Sequence, residues 1–192
     1  VHKGARLYYD TLMHDDFVPN CCEKWDVRIH RNVEWKFIFQ NIAKIKDINL
    51  KWLQIRIVHR ILGTNITCHN MGIVDNTLCT FCKKHKENIQ HIMWNCECVQ
   101  NFWCHFQNMI TKNCQHVCNH LILNEHLVIF GCDNSFKSDL PFDLILLLAK
   151  SYIYKCKMKN ELPALDNFVK ILKYRYEMEK YNASLRMKLE IF

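Results

Sequence analysis

Leu78–Cys96, LCTFCKKHKENIQHIMWNC, packs three cysteines and two histidines into 19 residues. Cys79, Cys82, His91 and Cys96 follow the pattern C-x2-C-x8-H-x4-C. Two cysteines separated by two residues sit on a tight turn, where both thiolates can face one point. A His and a Cys five positions apart lie about one and a half helical turns apart, and a helix end that unwinds can aim both inward. Three thiolates and an imidazole close a tetrahedral shell, with Zn–S of about 2.3 Å and Zn–N of about 2.0 Å. A closed shell has no place for water or substrate, so the pattern predicts a structural zinc. Soft thiolate ligands favour zinc over magnesium or calcium.

The spacing leaves alternatives open. In a chain with twelve cysteines some close pairs arise by chance. His85 is an alternative to His91, and Cys98 to Cys96. Ile89, Ile92 and Met93 are expected to pack inward while His91 points elsewhere, which favours His91. A second group, Cys114, His116, Cys118 and His120, is too tightly spaced to close one shell easily. The other cysteines read as core or surface thiols.

Outward from this stretch the chain reads as ordered and mainly α-helical. Of 192 residues 49% are hydrophobic, and there are only four glycines and three prolines. One domain or two small ones fit that length. The sequence lacks the turn-rich, short character of a disulfide scaffold, so the thiols are expected to be free or on metal in a reducing, intracellular compartment. It begins with Val1 rather than Met, which suggests a fragment or a processed chain. The most apolar run, Pro141–Tyr154, carries Asp143 and Lys150 and is shorter than the roughly 20 residues a bilayer needs. It reads as a buried helix.

Helices are expected over about 20–31, 32–45 (with Asn32 as a cap), 47–63, 66–72 (one short turn), 97–110 (apolar residues Val99, Phe102, Trp103, Phe106 and Ile110), 141–158 and 164–184 (apolar stripe Leu165, Phe168, Leu172, Tyr176 and Met178). Asp47 and Gly63 are the candidate caps of the third, which is apolar on most sides and so central to the core. His126–Gly131, HLVIFG, is the best strand candidate. The fold expected is a helical domain with an embedded zinc-knuckle-like loop and at most one or two short strands.

Net charge is +7, from 26 basic and 19 acidic residues. The surplus lies in residues 1–70 (11 basic, 7 acidic) and 131–192 (11 and 8), whereas 71–130 is balanced at 4 and 4. A basic excess flanking a Cys/His-rich middle fits a nucleic-acid partner. Lys83, Lys84 and Lys86 inside the loop are candidate phosphate contacts, and Trp94 is a candidate for stacking on a base. The competing readings are a solvated face for the lysines and core packing beside Trp103 for Trp94. A zinc deaminase would need H-x-E and P-C-x-x-C, and neither is present.

Several segments together carry a resemblance. LKWLQIRIVHRILGTN, MGIVDNTLCTFC, ENIQHIMWNCECVQNFW and LLLAKSYIYKCKMKNELPALDNFVKILK stand in the order seen in the C-terminal region of LINE-type, non-LTR retrotransposon reverse transcriptases. KGARLYYDTL resembles the segment after the polymerase thumb. Glu87, His91, Trp94, Cys96 and Trp103 match the family's zinc-binding part. The two ends of the metal pattern also match the retroviral zinc knuckle, but the middle gap is eight rather than four. The resemblance implies three parts: a post-thumb helical segment (1–70), a zinc-binding module (71–112) and a C-terminal helical segment on the same core (113–192).

It further implies a non-catalytic region that binds RNA or DNA in support of target-primed reverse transcription. Its partners would be nucleic acid and the rest of the polyprotein, with no membrane and no small-molecule substrate. Its location would be a ribonucleoprotein of the cytoplasm and nucleus. The family's polymerase uses an aromatic-x-Asp-Asp motif. The nearest stretch here, Met13-His14-Asp15-Asp16, lacks the aromatic, so no catalytic residue is expected. The alternative is a zinc-stapled interaction module that contacts the polymerase or a host protein without touching nucleic acid.

Overall fold

A computed structural model describes residues 19–29, 33–113, 122–132 and 142–189, without the side chains of 26–29 and 185–189. The candidate second metal group at 114–120, the Asp15–Asp16 pair and Asn32 lie outside the described residues. The contacts divide the chain into two units, 1–35 and 36–192. In the first, helix α1 (Asn20–Ile29) buries Cys21, Cys22 and Trp25.

The second unit holds the rest. In chain order its helices are α2 (Trp35–Lys44, which begins at the boundary), α3 (Ile48–Val58), α4 (Asn65–Asn70), a π-helical turn (His91–Asn95), α5 (Glu97–Asn113), α6 (Glu125–Phe130), α7 (Phe142–Lys159) and α8 (Leu165–Leu189). No β-strand occurs among the described residues, so the fold is mainly α, with a cysteine/histidine cluster set into it. None of the helices among the described residues is long and apolar enough to cross a membrane.

Helix α3 starts where its cap places it. Asp47 Oδ1 accepts the N–H groups of Asn49 (3.0 Å) and Leu50 (3.2 Å), two of the donors a helix start leaves unpaired. Leu50, Leu53, Ile57 and Val58 are buried, but Ile48 and Trp52 are more than half exposed, so this helix has one wet face. It ends earlier than expected. His59 is the C-cap, and Arg60, at φ +60°, makes the left-handed turn assigned to Gly63 from sequence. Gly63 has a different role. The hydroxyl of Tyr154 donates to its carbonyl, and a Cβ there would come within 3.1 Å of that hydroxyl.

The expected strand at 126–131 is instead helix α6. Asn124 caps it by accepting the Leu127 N–H at 2.9 Å, and Gly131 ends it at φ +93°. A short apolar run does not separate a strand from a buried helical turn, and here the cap decides.

An aromatic cluster joins α5, α7 and α8. Phe102, Trp103, Phe106, Tyr152 and Phe168 meet with ring centroids 5.3 to 6.2 Å apart, the range that favours edge and tilted contacts. The first part of α8 is pinned by this cluster and by Arg175, whose guanidinium pairs with Asp47 at 2.9 Å. Farther along, the anticipated apolar stripe is exposed: Tyr176 and Met178 face water. Only Phe168 of that stripe is fully buried.

Candidate metal centre

The Cys79–Cys82 turn is built by the backbone around it. Leu78 and Lys86 form a single antiparallel bridge. Cys79 N–H donates to His85 O at 2.7 Å, and Glu87 N–H to Thr77 O at 2.8 Å. These bonds pinch the loop shut. Inside it, Phe81 N–H donates to Cys79 Sγ at 3.4 Å, and Lys83 N–H to Cys79 O at 3.0 Å. The chain reverses at Lys83, whose φ of +57° lies in the left-handed region that favours glycine.

The other two ligands come from one widened turn. Asn88 Oδ1 accepts the His91 N–H at 2.7 Å and starts it. Cys96 N–H then reaches back five residues to His91 O at 2.8 Å. An α-helical turn would bring position 95 under His91; the π-turn brings Cys96 there, which is what an x4 gap requires. The widened turn frees carbonyls, and α5 satisfies two of them. Trp103 Nε1 donates to Met93 O and Gln100 Nε2 to Trp94 O, both at 2.7 Å. Ile89, Ile92 and Met93 are buried, as their spacing predicted.

The ligand atoms of Cys79, Cys82, His91 and Cys96 all lie within 4.8 Å of one another and could hold a metal ion. Cys79 Sγ is 3.8 Å from Cys96 Sγ, and Cys82 Sγ is 3.4 Å from His91 Nε2. A tetrahedral zinc with the usual bond lengths has edges of about 3.8 Å between sulfurs and about 3.5 Å between sulfur and nitrogen. The donor set and its spacing therefore fit such an ion. His85 is exposed and outside the cluster, although its ring lies 5.7 Å from that of His91. Cys98 is half-buried and also outside it.

The protonation pattern is set by one contact between ligands, by burial and by a neighbouring charge. The hydrogen bond to Cys96, with burial, pushes the Cys79 thiol up, and the same bond holds Cys96 down. A cation bound to both sulfurs takes the place of the proton they share. Burial, then the charge of His85, holds His91 below the usual histidine range, so the imidazole is neutral, the form that ligates.

One functional group that spacing alone did not single out is the carboxylate of Glu87, which is fully buried behind the loop. Its Oε2 accepts Thr80 N–H at 2.7 Å, inside the Cys79–Cys82 turn. Its Oε1 accepts Asn65 N–H at 2.9 Å and lies 3.3 Å from Lys157 Nζ on α7. Lys157 Nζ also donates to Asn65 Oδ1 at 3.1 Å, and Asn65 Nδ2 to Leu78 O at 2.6 Å. The metal loop is thus tied to α4 and α7 through one buried network. A single acid following three lysines in the loop was the available signal, but its partner lies 70 positions away.

The candidate nucleic-acid contacts are placed as follows. Lys83, Lys84 and Lys86 are exposed on the turn between Cys82 and His91. Lys84 pairs with Glu97 at 2.7 Å, also exposed. Trp94 is half-buried, and Trp103 is in the core. Compared with models of known families and with characterised proteins, the sequence matches none.

Proposed function

We propose that the chain is a non-catalytic, zinc-stapled module that binds RNA or DNA, as the resemblance to the C-terminal region of LINE-type reverse transcriptases implies. The convergence of the four ligand atoms carries this reading. Three thiolates and one imidazole close the shell, so the ion organises the loop and has no open position for chemistry. The loop it organises presents Lys83, Lys84 and Lys86 together.

Filter retention of RNA and single-stranded DNA across a salt series tests nucleic-acid binding. Retention that weakens with salt is the expected result. No retention at low salt, or retention without a salt slope, removes the phosphate contact. Native mass spectrometry tests the metal, with one zinc per chain expected.

A second reading, an interaction module stapled by the same ion, is favoured by a different observation. Met71 and Ile73 are two-thirds exposed, and Leu78, at the mouth of the metal loop, is 41% exposed. Exposed apolar residues in one neighbourhood suit a protein partner. A chain that binds zinc but shows no salt-dependent retention of nucleic acid would select this reading.

A further inference from the structure

A pocket of about 860 Å³ opens between the end of α2, the turn before α3, the ends of α6 and α8, and one face of α7. It lies wholly within the 36–192 unit and away from the metal loop. Ile42, Ile45, Phe130, Leu144, Leu146 and Leu147 supply most of its apolar wall. This size and lining are those of small-ligand sites, which combine an apolar body with a few placed polar groups.

The polar group at its base is Lys150, only 2% exposed. Its amine donates to Gln54 Oε1 at 2.5 Å, and Gln54 Nε2 in turn donates to Ile129 O at 2.9 Å. Gln54 is a neutral partner and takes one of the ammonium's three N–H groups. No carboxylate among the described residues pairs with Lys150 in the way Glu87 pairs with Lys157. The acids of the pocket are engaged elsewhere. Asp143 Oδ1 accepts Cys132 N–H, while Asp47 and Glu179 both hold Arg175. Lys44 and Lys46 add positive charge at the rim.

We infer that this pocket binds a small carboxylate with an apolar body, its head group at Lys150 and its body against Ile42, Ile45 and the leucines of α7. Buried cations are retained where a counter-charge meets them, and here the ligand supplies it. Burial pushes the Lys150 amine down to about 7, despite the opposing charge of Asp143, so an arriving anion meets a group at the edge of protonation.

The test uses calorimetric titration of the whole chain with three probes: octanoate, 1-octanol and acetate. Octanoate is expected to bind one per chain, at least tenfold more tightly than 1-octanol, and acetate not measurably. Lys150→Met, which keeps the volume and removes the charge, should weaken octanoate at least tenfold and leave 1-octanol unchanged. Leu144→Glu, at a half-buried wall position, provides a second variant with the lysine intact. It should also weaken octanoate at least tenfold. Absence of saturable octanoate binding, equal binding of octanoate and 1-octanol, or octanoate affinity unchanged in a folded variant would overturn the assignment.

Discussion

Glu87→Gln is the substitution by which the structure says most about the metal loop. The fully buried carboxylate accepts two backbone N–H groups and faces the Lys157 ammonium, so every neighbour of its two oxygens is a donor. A glutamine of the same shape must turn its NH2 toward one of those donors. It also leaves Lys157 buried without a counter-charge. Breaking a buried pair on one side costs about 3–5 kcal/mol. For a chain of this length that is on the order of 10 °C in Tm. The carboxylate anchors Thr80, which lies between Cys79 and Cys82, so the variant should also lose about 10- to 100-fold in zinc affinity, the usual effect of disturbing groups behind metal ligands.

Urea melts of the zinc-loaded chain measure the first effect, and competition with a chromophoric chelator measures the second. Lys157→Met should destabilise by less, because the two backbone N–H groups still serve the carboxylate. The double variant should show a coupling of about 1–3 kcal/mol between the two positions. A Glu87→Gln chain that melts within about 1 kcal/mol of the parent and holds zinc equally well would refute the reasoning.

Cys79→Ser should abolish zinc binding in native mass spectra, whereas Cys132→Ser should leave one zinc per chain; the opposite result rejects the ligand set. Lys83→Ala with Lys86→Ala should flatten the salt dependence of nucleic-acid retention by about 1–2 in the log–log slope, and an unchanged slope assigns both lysines to solvent. Lys150 predicts a pH effect on stability. Its amine titrates near 7 in the folded chain against 10.5 when unfolded, so between those values the unfolded state binds more protons and stability rises with pH. Lys150→Met should remove that rise. Near pH 7 it should stabilise the chain by about 1–3 kcal/mol, after offsetting the loss of Gln54's partner. Urea melts of both chains from pH 6.5 to 10 check this, and parallel curves would refute it.

How much of this was legible in the sequence depended on how local the cause was. The ligand set could be read from spacing because all four residues fall within 18 positions and the x4 gap matches one widened turn. The Asp47 cap and the buried face of α5 (Val99, Phe102, Trp103, Phe106, Ile110) were legible for the same reason. HLVIFG differs from expectation because a run of four apolar residues, Leu127–Phe130, has no diagnostic period, and the deciding residue, Asn124, stands before it. The exposed end of α8 could not be foreseen from its own stripe, since burial there depends on where α5 and α7 end. Glu87 with Lys157 and Gln54 with Lys150 are pairings across 70 and 96 positions, which no local pattern reports.

Those two pairings explain each other. Lys150 and Lys157 stand seven residues apart on α7, two turns along one face and roughly 10 Å in rise. Both are buried in the same unit, and their surroundings differ in one respect. Lys157 meets a carboxylate from its own chain, and the metal loop is fastened to the core by that contact. Lys150 meets an amide and a pocket. A lysine with an internal counter-charge serves the fold. One that, among the described residues, is hydrogen-bonded only to a neutral acceptor, with Asp143 acting on it from beyond ion-pair distance, destabilises the fold at neutral pH, and an anion from outside would offset that cost. The same helix therefore separates a structural end, at the metal centre, from an end where a ligand anion completes the electrostatics.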